Sequence, residues 1–302
     1  MELRQLEYAL AVAEELHFGR AAARMHVTQQ SVSEQVRRLE RELGAPLFTR
    51  TSRRVALTSL GEAFLPEARR VVRAAAHALD AGRHAAQGQS GEVRLGYADS
   101  VSPALVRLAS ARLAERAPGA RVAPEPLTTP DQLVALAEQR LDAGLGWTPA
   151  LTADLTSLVV AREPLVVVLP ADHPLAAGAA VPPARLSGLP LGVVPRAVNP
   201  ALHDRIVGQL AGHGVRVVIQ QEVASLDRML PLVLAGTAIA ITARSVAAAR
   251  PVPGVTHRPF TEPGPAVDCH LVWRRDNGDP ALGHLVAAVR ELRDAGAFGP
   301  DG

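Results

Sequence analysis

Residues 16–61 read LHFGRAAARMHVTQQSVSEQVRRLERELGAPLFTRTSRRVALTSLG, and this stretch decides how the N-terminal part folds. Thr28 is a favourable N-cap, because its hydroxyl can accept a free backbone N–H of the first helical turn. Apolar side chains then recur at 4-3-4 spacing, the buried stripe of an amphipathic helix: Val32, Val36, Leu39 and Leu43. Gly44 ends this helix by allowing a left-handed C-cap. Together with the shorter helical pattern before His26, the stretch predicts a helix-turn-helix.

The charge of this stretch points to DNA. Between Arg20 and Arg54 there are eight arginines and three glutamates, a local charge of +5, whereas the whole chain carries +2. Guanidinium groups beside a helix rich in amides and hydroxyls suit phosphate anchoring combined with base-edge reading. Short alternating segments around Leu47–Thr49 and Arg54–Leu57 predict a two-stranded wing with Arg53 and Arg54 at its tip. The candidate DNA-binding residues are Arg20, Thr28, Gln29, Gln30, Ser33, Glu34, Arg37, Arg38, Arg50, Arg53 and Arg54.

The N-terminal 60 residues resemble the LysR-type transcriptional regulators without a gap. The matching residues are Ala21-Ala22, Thr28-Gln29, Ser33, the run from Arg37 to Glu40, Leu43-Gly44, the run from Pro46 to Phe48 with Arg50, and Leu57-Thr58 with Gly61. The resemblance implies a regulator rather than an enzyme, which binds double-stranded DNA as a homodimer or homotetramer and has RNA polymerase as a further partner. Three positions depart from the family pattern: Gln30 and Ala243 stand where proline is frequent, and Glu34 stands where a basic or small residue is frequent. Glu34 either accepts a hydrogen bond from a cytosine amine or only adds repulsion.

A long helix follows the wing. Ser59 to Glu62 has a capping-box pattern, and the helix is predicted to run to about Ala86, with a bend at Pro66. Its apolar residues fall at 3.5-residue spacing, as in a coiled-coil seam: Phe64, Ala68, Val71, Ala75 and Ala78. The seam packs either against a second copy of the chain, as the dimerisation helix of the family would, or against its own chain.

Beyond residues 88–91, a short flexible link, strands alternate with helices, which favours parallel sheets covered by helices. Two of these strands are predicted at Leu165–Leu169 and Val215–Ile219. In the family this region is an effector domain of two α/β subdomains that resemble periplasmic solute-binding proteins. The resulting fold class is a winged helix-turn-helix, a linker helix and this α/β effector domain. The expected bounds are 1–58 for DNA binding, 59–87 for the linker and dimerisation helix, and 91–302 for the effector domain, with subdomain I at 91–162 plus 267–302 and subdomain II at 163–266.

Polar loops follow several of the predicted strands, at the carboxyl edges where open parallel sheets bind ligands. Hydroxyls and free N–H groups there would suit a small anion such as a carboxylate, and Ser100 and Thr129 best match the family's effector positions. Arg196 would pair with a ligand carboxylate in a bidentate manner or remain solvated. The alternative is that these residues are ordinary caps and turns. The candidate effector-binding residues are Asp99, Ser100, Ser102, Thr128, Thr129, Trp147, Arg196, Asn199 and Thr242.

Other classes of protein find no support. The sequence has one cysteine and no His/Cys cluster with metal-ligand spacing, and it lacks the nucleotide-binding and nucleophile motifs. We therefore expect no cofactor and no metal. Four glutamates within the first 18 residues and the absence of an apolar run of about 18–20 residues predict a cytoplasmic chain without a signal peptide or membrane span. Two rival functions stay open: a DNA-binding regulator without an effector, and a solute-binding or enzymatic α/β protein.

Overall fold

The structure is a computed structural model, and it describes residues 1–50, 55–86, 91–101 and 103–298. The chain forms two compact units, one from Met1–Gln87 with Glu138–Arg140 and the other from Gly88–Ala137 with Leu141–Gly302. Within the described ranges, no helix is long and apolar enough to span a membrane.

The first unit is a helix-turn-helix followed by a two-stranded wing and a long helix. Its elements are α1 (Leu3–Glu15), α2 (Phe18–Arg24), α3 (Gln29–Leu43), β1 (Phe48–Arg50), β2 (Val55–Leu57) and α4 (Ser59–Ala86). The two wing strands are antiparallel, with Thr49 opposite Ala56. The core of this unit is formed by one face of each helix, including Leu6, Val12, Val32, Leu39 and Leu65.

The helix ends in this unit follow from local hydrogen bonds. Thr28 caps α3 as predicted, since its Oγ1 accepts the backbone N–H of Ser31 at 3.2 Å, and Gly44 ends α3 with φ of 77°. At α4 the prediction of Ser59 as the cap is wrong by one residue. The hydroxyl of Thr58 accepts the N–H of Gly61 at 3.0 Å. It also lies 2.7 Å from the carbonyl of Pro46, so this side chain joins the helix start to the wing.

The second unit alternates strands and helices along the chain. Its strands are β3 (Glu92–Tyr97), β4 (Arg121–Pro126), β5 (Ala143–Trp147), β6 (Leu155–Pro170), β7 (Pro190–Val193), β8 (Val218–Glu222), β9 (Ile239–Ala243), β10 (Val255–Pro259) and β11 (Ala266–Arg274). Its helices are α5 (Pro103–Arg116), α6 (Thr129–Ala137), α7 (Pro200–Gly212), α8 (Leu226–Leu234), α9 (Arg244–Ala248) and α10 (Pro280–Asp294), with short 3-10 helices at Pro174–Ala177 and Pro183–Leu186.

One long strand, β6, joins the two halves of this unit. The strand order is β4-β3-β5-β11-β6-β9-β7-β8, with β10 on β6. The pairs of β3 with β4 and β5, and of β7 with β8 and β9, are parallel, as predicted. However, β6 and β11 run antiparallel to their neighbours, so the sheet is mixed. Up to Pro164, β6 pairs with β11, and from Leu165 onward it pairs with β9. The chain therefore passes from one half of the unit to the other within this strand.

Two strand predictions are wrong in their bounds. The predicted strand at Leu165–Leu169 is only the fully buried half of β6, because the preceding Arg162-Glu163-Pro164 interrupts the apolar run. The predicted strand at Val215–Ile219 lies three residues too early, since β8 is an edge strand whose residues are mostly exposed. An edge strand of this kind shows no burial pattern in its sequence.

Candidate functional site

The exposed face of α3 forms a polar surface held in place by the core behind it. Val32, Val36 and Leu39 are fully buried against the other helices. The predicted base-reading side chains Gln29 and Gln30 are exposed in the first turn. The remaining candidates on α3 are also accessible, Ser33 partly and Glu34, Arg37 and Arg38 fully.

The arginines of this unit differ in how far acids engage them. Arg20 is engaged, because its guanidinium contacts both the carboxylate and the carbonyl of Glu15. Arg37 and Arg38 form no side-chain ion pair with any residue that the structure describes. Their charge is therefore available for an external anion. The side chain of Arg50 and the residues Arg53 and Arg54 lie outside the described part of the chain.

The wing is attached to α3 by a carboxylate that the sequence did not single out. Glu40 Oε1 accepts the backbone N–H groups of Leu47 at 3.0 Å and Phe48 at 3.3 Å. The ring of Phe48 packs edge-on against Phe18 of α2, with ring centroids 6.0 Å apart. Glu40 thus positions the wing relative to α3, a contact that its match to the family pattern did not by itself indicate.

A cleft in the second unit lies where the carboxyl ends of strands meet helix starts. Its cavity volume is about 90 Å³. Most of its walls are apolar, with Leu165, Ile206, Met229, Ile241 and Val246 among the lining side chains. None of the described residues that line it carries a charge. The polar groups at its surface are the hydroxyls of three residues and one indole, namely Ser100, Ser225, Thr242 and Trp147.

Three predicted effector residues line this cleft, and a fourth supports it. Ser100, Trp147 and Thr242 are among the lining residues. The indole N–H of the buried Trp147 donates to Ser100 Oγ at 2.9 Å. The amide of Asn199 donates to the Trp147 carbonyl at 3.2 Å, while its oxygen caps α7 by accepting the N–H of Leu202 at 3.1 Å. Asn199 thus holds the end of β5 against the start of α7.

The other predicted effector residues are not in the lining. Asp99 and Thr128 are exposed, and Thr128 Oγ1 lies 2.6 Å from the carboxylate of Asp131 at the start of α6. The buried Thr129 packs against Gly146, where a Cβ would lie 2.5 Å from its hydroxyl oxygen. Thr128 thus has the capping role that was the alternative to effector binding, and Thr129 has a packing role. Ser102 lies outside the described residues.

Arg196 has a partner of its own. Its Nε and Nη2 donate to the two carboxylate oxygens of Asp204 at 2.8 and 2.9 Å. Hydrogen bonding to Arg196 lowers the pKa of Asp204, so this carboxylate stays ionised beside the guanidinium. Arg196 is exposed and does not line the cleft, which places the bidentate contact within the chain.

The lining also contains residues that sequence reasoning missed. Ser225 caps α8, and Leu226 and Met229 of that helix form a wall of the cleft. Because the strand was predicted at Val215–Ile219 instead of Val218–Glu222, the loop from Val223 to Ser225 was not recognised as following a strand end. A Ser before a helical apolar stripe is the signal that would have found this loop.

Cys269 of β11 is fully buried. Burial raises the pKa of its thiol well above the ordinary value, and Glu163 adds to the effect. The thiol is therefore protonated and shielded, and it serves as a small apolar side chain. No group of three or more His, Cys, Asp or Glu within the described ranges could hold a metal ion.

Comparison with known proteins accounts for both units. The family model "Bacterial regulatory helix-turn-helix protein, lysR family" matches residues 3–62, and the model "LysR substrate binding domain" matches residues 86–294. The chain belongs to the LysR family. It is 38% identical to the HTH-type transcriptional regulator IlvR of Caulobacter vibrioides, over 96% of this chain and 98% of that protein. It is 30% identical to the Hca operon transcriptional activator HcaR of Escherichia coli, over 96% and 98%.

Solved structures of LysR regulators share the fold along the whole chain. The crystal structure of full-length CbnR complexed with its target DNA has a TM-score of 0.75 and 28% identity, covering 96% of this chain and 99% of that chain. A full-length variant of OxyR from Pseudomonas aeruginosa has a TM-score of 0.68 and 28% identity, covering 96% of this chain and 95% of that chain. The chain is thus a LysR-type transcriptional regulator with a DNA-binding helix-turn-helix and an effector-binding domain, and its relatives named here are regulators rather than enzymes.

Proposed function

We propose that this LysR-type regulator reads its operator with the exposed face of α3. The helix would enter the major groove, with Gln29, Gln30 and Ser33 near base edges. Arg37 and Arg38 would contact phosphates, and their lack of an acidic partner among the described residues is the observation that supports this role. Arg53 and Arg54 would reach the backbone or the minor groove from the wing.

The proposal includes self-association through α4. In the first half of the seam Leu65 and Ala68 are buried in the chain's own helix-turn-helix core. Further along, Val71 and Leu79 are large apolar side chains that are about half exposed. This division supports the proposal that the seam packs against its own chain in its first part and against a second copy further along. A dimer or tetramer would then place two recognition helices on half-sites about one helical turn apart.

We also propose the functional divisions and the remaining partners. Residues 1–58 bind DNA, 59–87 form the dimerisation helix, and 91–302 form the effector domain, divided into subdomain I (91–162 plus 267–302) and subdomain II (163–266). The crossing of β6 at Pro164 supports the first of these subdomain limits. RNA polymerase is the partner through which a promoter-bound regulator acts, and binding to chromosomal DNA would place the protein in the cytoplasm.

The DNA-binding proposal is tested by comparing side chains that read bases with side chains that hold phosphates. Gln29→Ala should weaken operator binding by about 1–3 kcal/mol per half-site and leave binding to random duplex unchanged. Arg38→Gln should weaken binding to both duplexes and reduce the slope of affinity against salt. The measurement is fluorescence anisotropy with a fragment selected from genomic DNA and with a scrambled duplex.

Gln220→Ala is the matched control, because Gln220 is an exposed amide on β8 of the second unit. It should behave like the wild type on both duplexes. If Gln29→Ala and Arg38→Gln also did so, the assignment of α3 as the reading helix would be wrong.

We propose that the cleft binds a small effector with an apolar body and one compact polar group. The apolar walls support the body, and the hydroxyls of Ser100, Ser225 and Thr242 support the polar group. A carboxylate would have to be held by these hydroxyls and the free N–H groups of the first turn of α8, since Arg196 is already paired with Asp204. The sequence suggested that Arg196 would hold a ligand carboxylate. We propose instead that neutral hydroxyl and N–H donors hold the polar group of the effector.

Trp147 provides the test of effector binding, because its buried indole lines the cleft. In a Trp273→Phe background its fluorescence reports this site alone, since Trp147 and Trp273 are the two tryptophans of the chain. Titration with compounds matched in their apolar body, with a carboxylate, an amide or a hydroxyl as the polar group, should give saturable changes. The added change Ile206→Glu, which places a negative charge in the apolar cleft wall, should abolish these fluorescence changes. A flat response to a broad metabolite set would favour a regulator without an effector.

A further inference from the structure

A second pocket lies beside β6 and β10, in the same unit as the effector cleft. It has a volume of about 430 Å³ and is lined by Val166, Arg244, His257, Arg258, Pro259 and residues 177–179. Neighbouring residues of β6 line different sites, since Leu165 lines the cleft and Val166 lines this pocket. All the charged or titratable residues that line it are basic, within the part of the chain that the structure describes.

Arg258 is fixed in the wall of the pocket without an acid to neutralise it. Its Nε donates to the carbonyls of Ala176 at 3.0 Å and Gly178 at 2.9 Å, and its Nη1 donates to Thr256 Oγ1 at 2.7 Å. These neutral acceptors orient the guanidinium and leave its charge uncompensated. Nη2 has no hydrogen-bond partner among the described residues.

Arg244 contributes a second uncompensated charge. It begins α9, is partly exposed, and forms no side-chain hydrogen bond or ion pair with the described residues. Glu163 lies close to this segment, since its carboxylate accepts the N–H of Ser245 at 3.0 Å, but it forms no ion pair with Arg244 and does not line the pocket.

His257 precedes Arg258 on β10 and lines the same pocket as Arg244 of α9. Burial lowers its pKa, and the charges of Arg258 and Arg244 lower it further, so both guanidinium groups act on this imidazole. A neutral imidazole still provides one N–H donor. The pocket therefore combines two fixed positive charges with a neutral donor, and its lining supplies no carboxylate.

We infer that this pocket is a second ligand site, separate from the effector cleft, which binds a small oxyanion such as a phosphate group or a carboxylate. Two guanidinium groups and an imidazole N–H match the several acceptor oxygens of such an anion. The anion would supply the negative charge that the lining lacks. Because Leu165 and Val166, and likewise Ala243 and Arg244, are chain neighbours that line different sites, occupation here would act directly on two walls of the cleft.

The test is calorimetric titration of the full-length protein with inorganic phosphate and, separately, with malonate. A titration with chloride at the same ionic strength is the reference. The wild type should bind at least one of the two saturably, with one site per chain, and the anion that binds identifies the class of ligand. Arg244→Gln should weaken binding at least tenfold, whereas Arg244→Lys, which keeps the charge, should retain part of it. Heats indistinguishable from those of chloride, or wild-type binding by Arg244→Gln, would overturn the inference.

Two controls separate this pocket from other basic surfaces. Arg290→Gln removes an exposed arginine of α10 that forms no ion pair among the described residues, and it should bind like the wild type. The double variant Arg37→Gln/Arg38→Gln should also bind like the wild type, and loss of binding there would assign the anion to the DNA-binding surface instead.

A second variant keeps the inference testable if Arg244→Gln does not fold. Ala179 is exposed in the turn that lines the pocket, so Ala179→Glu is compatible with the fold. It places a carboxylate opposite the two arginines and should abolish anion binding with a wild-type circular dichroism spectrum. Unchanged anion binding in a folded Ala179→Glu protein would overturn the inference.

Discussion

His270 of β11 shows how one partly buried side chain couples stability to pH. Its Nδ1 lies 3.2 Å from the hydroxyl of Ser157 on the neighbouring strand β6. Burial lowers the pKa of His270 below the ordinary value, and the nearby Asp268 only partly offsets this effect. The folded state therefore binds a proton less readily at this position than the unfolded chain does.

We expect the free energy of unfolding to fall on acidification for this reason. A histidine with a lowered pKa contributes fully above its unfolded pKa of about 6.5, and the contribution is lost as the pH falls below that value. Burial also lowers the pKa of His257, so this residue contributes to the loss of stability at acidic pH in the same direction. Urea denaturation at about pH 7.5 and about pH 5.5 should show lower stability at the acidic pH, and His270→Gln should reduce the difference.

His284→Gln serves as the control for this experiment, because His284 is exposed on α10. It should leave the difference between the two pH values as in the wild type. An equal difference in the wild type and in His270→Gln would show that the burial of His270 does not govern the acid sensitivity.

At the scale of elements, α4 contains two glycines with opposite requirements. A Cβ on Gly61 would lie 2.4 Å from the backbone carbonyl oxygen of Leu47, at the point where the helix meets the wing. A Cβ on Gly82 would meet nothing within 4 Å. Close packing of the wing therefore requires glycine at the first position, whereas the second is an ordinary helical site.

Gly61→Ala should destabilise the DNA-binding unit by about 1–3 kcal/mol, because a backbone carbonyl cannot move aside as a flexible side chain would. Gly82→Ala should be neutral or stabilise α4 by up to about 1 kcal/mol through helix propensity. Thermal unfolding followed by circular dichroism separates the two variants, and operator binding should decline only for Gly61→Ala. Equal melting temperatures for the two variants would contradict this account of the contact between α4 and the wing.

At the scale of the whole effector domain, Asn199 connects elements of the two halves. Its oxygen caps α7 beside the sheet of β7, β8 and β9, and its amide donates to the carbonyl of Trp147 at the end of β5. Gln209 of α7 makes a second connection, since its amide exchanges hydrogen bonds with the backbone of Ala266 at the start of β11. Side-chain amides thus join α7 to the strands that form the cleft.

Asn199→Ser should keep the helix cap and lose the bond to Trp147, because serine is a good N-cap but is too short and lacks the amide donor. The expected cost is about 0.5–1.5 kcal/mol in urea denaturation, with Trp147 emission shifted to longer wavelength in the Trp273→Phe background. Asn277→Ser is the control, since the Asn277 side chain accepts the N–H of Asp279 within its own turn. Identical emission in the two variants would argue against the bridging role of Asn199.

The candidate sites differ in how far local sequence could predict them. Helix α3 follows from its apolar spacing and from the caps Thr28 and Gly44 at its two ends, all of which act over a few residues. The effector residues depend on which strand ends meet, and this is decided by long-range pairing such as that of β6 with both β11 and β9. Ser100 and Trp147 could be predicted because they stand at or just after the end of a correctly predicted strand. Ser225 could not, because the end of the edge strand β8 before it was predicted at the wrong residue.

The sequence by itself determined the helix-turn-helix, the long helix, the α/β alternation and the family, because helix periodicity, caps and charge are local properties. Only the tertiary structure decided the chemistry of the sites. It paired Arg196 with Asp204, left the cleft walls apolar and gathered Arg244, His257 and Arg258 around one pocket. These arrangements depend on side chains brought together from distant parts of the chain, and the free energy of their contacts is set by burial and partners that no short segment contains.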